Sequence, residues 1–183
     1  DRMGNVLGVR HGRAARPNIV ISAHLDSVFP EGTDVRVTRS GALLKGPGIG
    51  DDARGLAVLV AIARALARSS IQTAGTVTFV ATVGEEGLGD IRGARHLVGS
   101  ELAGTIDAFV SIDGTGLDVT ATGVGSRRYK VSFAGPGGHS YGAFGTANPI
   151  HALGRAIAAV SDLAVPAAPR TTFNVGRSAA AHR

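Results

Sequence analysis

Residues able to bind a metal stand, one after another, where short apolar runs stop. His24-Leu25-Asp26 closes the run Pro17 to Ala23, Glu85-Glu86 follows Val80 to Gly84, and Asp113 follows Ala108 to Ile112. Asp51-Asp52 opens the stretch after a glycine-rich loop, Gly46 to Gly50. Apolar runs of that length read as buried strands. When strands run parallel in a sheet, ligands gather beyond their carboxyl ends. Side chains far apart in the chain can therefore meet on one rim. Imidazole together with carboxylates is the donor set of a hydrolytic zinc site.

The order of elements supports a sheet of that kind. Strands are expected over Asn5 to Arg10, Pro17 to Ala23, Thr76 to Thr82 and Ala108 to Ile112, the last one buried. Val35 to Arg39 and Ala42 to Lys45 flank Ser40-Gly41 as a hairpin. Leu56, Leu59, Val60, Ala63 and Leu66 recur at helical spacing, so a helix is expected from about Asp52 to Arg68. A short helix is expected over Ile91 to Val98. Alternation of this sort favours an α/β fold, a mainly parallel sheet with helices on both faces.

The pattern changes near Gly123. Beyond it come an expected strand (Arg128 to Phe133), a glycine-rich turn, a helix (about Asn148 to Ser161) and a strand (Thr171 to Val175). The expected organisation is thus a catalytic metal-binding domain over 1–123 and part of an α+β lid or dimerisation domain over 124–183.

Composition removes several alternatives. The chain has 183 residues and no cysteine, which excludes disulfides, thiolate zinc sites and cysteine nucleophiles. Its net charge is +5, yet the basic residues are scattered and aromatics are only 4%, so nucleic acid is not an expected partner. No apolar run approaches the roughly 18 residues of a membrane span, and no signal segment opens the chain. A membrane is therefore not an expected partner, and the expected location is cytoplasmic.

The carboxylates divide by their setting. Asp26, two residues from His24, suits a group that orients a metal-binding imidazole. Asp52 suits a helix cap, which leaves Asp51 to bridge two cations. Adjacent Glu85 and Glu86 repel each other unless cations or a shared proton relieve them. One can hold metal while the other moves a proton.

The blocks Ser22 to Val28, Gly48 to Gly55, Gly84-Glu85-Glu86-Gly87, Ser111 to Gly114 and Gly137-Gly138-His139-Ser140 together resemble a di-zinc metallopeptidase family. It is that of peptidase T, carboxypeptidase G, aminoacylase and succinyl-diaminopimelate desuccinylase. Gly135 to Leu153 is most similar to peptidase T-like members. The resemblance implies a hydrolase that cleaves peptide or acyl-amide bonds with a zinc-bridged water. His24 and Asp113 would hold one zinc, Asp51 would bridge, and Glu86 would hold the other. Manganese or cobalt would suit the same oxygen-rich donors. Glu85 would be the general base and acid, and Asp26 would orient His24. The peptide bond between Asp51 and Asp52 is cis in many relatives. His139 would match the lid histidine that, in dimeric relatives, reaches the partner's site and stabilises the oxyanion.

The same resemblance implies a small peptide or N-acyl amino acid as substrate, with aminopeptidase, carboxypeptidase and deacylase action all open. It implies a homodimer when the lid is complete. Relatives carry a further N-terminal segment and a second catalytic segment with the last zinc-binding histidine, so the chain is expected to be truncated at both ends. His11, His96, His151 and His182 match no ligand position and are expected at the surface or in packing. On that count the second cation would lack an imidazole. The rival expectation is an inactive fragment or relative that keeps the fold for binding or assembly.

Overall fold

The structure is a computed structural model and describes residues 1–179, so His182 lies outside the described residues. The chain forms two compact units, Asp1–Val119 and a second that begins at Thr120.

The first unit is built on a four-stranded sheet. Its strands are β1 (Val6–Arg10), β2 (Asn18–His24), β5 (Thr76–Thr82) and β6 (Ala108–Ser111), in the order β1-β5-β2-β6. β2 runs parallel to β5, from Asn18 opposite Thr76 to His24 opposite Thr82. It also runs parallel to β6, from Ile19 opposite Ala108 to Ser22 opposite Ser111. β1 is antiparallel to β5. The sheet is thus mostly parallel, as the sequence predicts. Its topology places the residues after His24, Thr82 and Ser111 on a single edge.

β2 and β5 are central and nearly continuous in apolar and β-branched residues, as strands covered on both faces are. Alternation along them sends successive side chains to opposite faces. Ile21, Val77 and Phe79 meet Leu59, Ile62, Ala63 and Leu66 of helix α1 (Arg54–Arg68). Those four positions keep the spacing of one helical stripe. Val20 and Val80 point the other way, where Leu97 covers them with Leu7, Leu102 and Ile106. Helix α2 (Arg92–His96) and the turn Leu97–Glu101 deliver Leu97 to that position.

Two local expectations are corrected. The small hairpin of β3 (Thr38–Ser40) and β4 (Leu43–Lys45) pairs Ser40 with Leu43, so Gly41-Ala42 makes the turn rather than Ser40-Gly41. Gly41 has φ +60°, the left-handed region that a two-residue turn demands. β6 is exposed along its whole length rather than buried. It is an edge strand, and among the described residues it pairs with β2 alone.

In the second unit the expected helix forms as α3 (Pro149–Ser161). Asn148 caps it, its Oδ1 accepting from the amides of Ile150 at 2.8 Å and His151 at 3.2 Å. Pro149 at the first turn loses no helical hydrogen bond. The strands expected over Arg128 to Phe133 and Thr171 to Val175 do not form. A strand exists only where a neighbour takes its backbone hydrogen bonds, and no described segment of this unit supplies one.

Candidate metal centre

His24 ends β2 with its side chain only 3% exposed. Its Nδ1 bonds the backbone carbonyl of Asp26 at 2.8 Å. A carbonyl only accepts, so Nδ1 carries the proton and Nε2 presents its other face to the rim. There Nε2 lies 2.8 Å from Asp51 Oδ1 and 3.9 Å from Asp113 Oδ1. Burial disfavours the charged ring, but the bonds to Asp51 and the Asp26 carbonyl outweigh it and raise the His24 pKa above its ordinary value.

Asp51 and Asp52 enter through the loop Ile49–Ala53 ahead of α1, and the peptide bond between them is cis. The two side chains diverge. Asp51 is largely exposed at the rim. Asp52 is buried, with Oδ2 accepting the His24 amide at 2.9 Å and Oδ1 the Gly55 amide at 3.0 Å. One carboxylate therefore fastens the end of β2 to the first turn of α1. Burial raises the Asp52 pKa, against those two amide bonds. Gly55 is required here, since a Cβ would lie 2.1 Å from Asp52 Oδ1.

Glu85 and Glu86 leave β5 through Gly84, whose φ of +72° turns the chain onto the rim. Asp26 holds this turn from beneath. Its carboxylate accepts the amides of Glu85 at 3.1 Å and Glu86 at 2.8 Å. Burial would push the Asp26 pKa up, but these amides outweigh it and hold it below its ordinary value. The Asp26 carboxylate stands 3.8 Å from His24 Nδ1, so the ring N–H is accepted by the Asp26 carbonyl instead. Burial raises the Glu85 pKa, and the negative charges of Glu86, Asp113 and Asp26 add to it against His24.

Asp113 follows β6. Arg54, in the first turn of α1, donates to the carbonyls of Gly114 at 2.6 Å and Gly116 at 3.4 Å, holding the loop that carries Asp113. Motif reading did not single out Arg54. Its signal was its place inside the Gly48 to Gly55 block, but only the fold shows what it grips.

The fold thus brings His24, Asp51 and Glu86 together with ligand atoms within 4.8 Å of one another, and likewise His24, Asp52 and Asp113. Among the described residues, Asp51, Glu85, Glu86 and Asp113 make no ion pair with arginine or lysine. So much negative charge around one imidazole is the electrostatic setting of a bound cation. The donor set, imidazole with carboxylates, fits zinc.

His139 belongs to the second unit and is exposed. Its Nδ1 accepts from the amides of Tyr141 at 3.2 Å and Gly142 at 3.3 Å. That leaves the ring proton on Nε2. His11 and His151 are exposed, whereas His96 is largely buried.

Comparison with curated proteins gives no significant match. Residues 5–143, most of the chain and the whole of the rim just described, match the profile of peptidase family M28. That is a zinc metallopeptidase family related to the group its motifs resemble, and the chain belongs to it.

Proposed function

We propose that the rim cluster is the active site of a two-zinc hydrolase acting on the amide bond of a small peptide or N-acyl amino acid. The observation that carries the reading is the concentration of carboxylates around His24 Nε2 that have no arginine or lysine partner among the described residues. Family membership supports metal-dependent peptide hydrolysis.

Asp113 and His24 would hold one cation, Glu86 the other, with Asp51 between them. When bound, such ions polarise a carbonyl and acidify water. The remaining steps belong to the chain. Asp52 and the Asp26 carbonyl fix the backbone and ring of His24. The Asp26 carboxylate fixes the turn that presents Glu85. A Glu85 carboxylate oxygen takes the proton of the attacking water and returns it to the leaving amine nitrogen. His139 Nε2–H is the donor proposed for the tetrahedral oxyanion, acting in a homodimer that pairs through the second unit. Support for pairing comes from α3, none of whose residues is buried. Peptidase T-like specificity is the finer assignment we attach to this reading.

One observation favours a second reading. Both ligand groups on the rim share His24 as their single imidazole. A relative that binds one cation and serves in binding or assembly would need no more.

The test is to strip the protein with chelator and restore zinc, manganese or cobalt separately. Metal content and hydrolysis are then followed over dipeptides, blocked peptides and N-acyl amino acids. Metal-dependent cleavage is the expected result. A protein that binds metal but cleaves none of these substrates supports the second reading.

A further inference from the structure

We propose that Asp1, His96 and Glu101 form another divalent-metal site, which shares no residue with the rim cluster and takes a transition metal such as zinc. His96 is the last residue of α2, and Glu101 ends the turn that follows it. The His96 side chain is 9% exposed, and its Nε2 is out of solvent with no hydrogen-bond partner among the described residues. A buried imidazole nitrogen without a partner is uncommon and calls for a ligand.

That nitrogen faces acid. Glu101 Oε2 lies 3.7 Å away, too far for a hydrogen bond. Ligand atoms of Asp1, His96 and Glu101 all fall within 4.8 Å of one another. Two donors on a tetrahedral zinc, with bonds of about 2.0–2.2 Å, stand about 3.4 Å apart. Closing the three groups onto an ion thus requires small movements, and Glu101, 45% exposed, is free to make them.

Asp1 is already in place. Its Oδ1 accepts the amides of Met3 and Asn5, both at 2.9 Å, and its Oδ2 accepts Asn5 Nδ2 at 2.7 Å. A carboxylate offers about four lone-pair positions, so three bonds still leave one for a cation. The imidazole selects zinc or another transition metal over calcium and magnesium, which prefer all-oxygen sites.

The consequence is mechanical. Asn5 is buried, donates to the Gly93 carbonyl at 3.1 Å and accepts the Val83 amide at 3.1 Å. A metal joining Asp1 to His96 and Glu101 would lock α2 and the following turn to the segment leading into β1. Through Asn5 it would brace Val83, at the root of the turn bearing Glu85 and Glu86.

The experiment uses a background variant, His24→Ala with Asp51→Asn, that removes the rim's imidazole and bridging carboxylate. Zinc chloride is titrated into it and bound zinc is measured after desalting, alongside thermal unfolding. The background should retain a zinc ion per chain and unfold at higher temperature with zinc than without. Adding His96→Gln should abolish both effects. Adding Glu101→Gln, at a side chain 45% exposed, should do the same. Calcium chloride should raise the unfolding temperature of none of them. The proposal is overturned if the background binds no zinc, or if its zinc survives Glu101→Gln. It is equally overturned if calcium stabilises the background as well as zinc does.

Discussion

Neighbouring residues of like chemistry have separate surroundings here. Asp51 and Asp52 are adjacent, yet one reaches the rim while the other is buried against two amides. Glu85 and Glu86 are both held by Asp26, but Glu86 joins the ligand group with His24 and Asp51. A base and a ligand fail differently on substitution. Glu85→Gln should keep its metal while turnover falls by about 10²–10⁴-fold, the range for loss of a general base. His24→Ala should instead lose metal, as elemental analysis would show. If Glu85→Gln lost metal and Glu86→Gln kept it, the two roles would be exchanged. Asp26→Asn keeps one acceptor oxygen but replaces the other with a donor that opposes a backbone amide. Roughly 10–100-fold of activity should disappear, as for other groups that support metal ligands from behind. An unchanged rate would mean that Asp26 does not hold the Glu85 turn.

At the scale of elements, the starts of β2 and β6 are joined by a pair that lies away from the rim. Asp107, just before β6, receives the Arg16 guanidinium and the Asn18 amide. The Arg16 hydrogen bonds hold the Asp107 carboxyl below its ordinary range, and the Asn18 amide adds to this. A lowered folded-state pKa means that the charged form favours the fold. That stabilisation is complete above the unfolded aspartate value of about 3.9 and fades as pH falls through the lower folded value. Asp107→Asn should therefore unfold at a lower temperature than the parent at neutral pH, with the gap closing on acidification. A gap independent of pH would assign the effect to geometry rather than charge. On the sheet face opposite α1, Leu97 is completely buried against Val20 and Val80. Leu97→Ala should cost about 2–5 kcal/mol, the usual range for a buried leucine truncated in a core. Denaturant unfolding would measure it.

For the whole molecule, the two units differ in how much of themselves they bury. Residues up to Val119 contain both core clusters. From Thr120 onward the one described helix, α3, has no buried residue, and Ile150 is 59% exposed. Among the described residues no helix is long and apolar enough to cross a membrane. An amphipathic helix needs a surface against its apolar stripe, and a second copy is the proposed one. Sedimentation should give a dimer whose stability falls on Ile157→Asp. A monomer across the accessible concentration range would remove that proposal and, with it, the proposed reach of His139 into a partner's site.

The sequence by itself determined the central scaffold and the set of candidate metal-binding residues. β2, β5 and α1 were legible because their apolar periods are local properties of the chain. His24, Asp51, Glu85, Glu86 and Asp113 were legible as candidates because each sits where such a period breaks. Tertiary structure alone decided which groups meet. That the Asp26 carboxylate accepts the Glu85 and Glu86 amides follows from the β2–β5 pairing, which brings together residues about sixty positions apart. The hold of Arg54 on the Asp113 loop and the approach of Asp1 to His96 and Glu101 likewise join residues far apart in the chain. The strands expected near Arg128 and Thr171 mark the opposite failure. Their local pattern is suitable, but a strand is completed by a partner, and a partner is supplied by the fold rather than by the period.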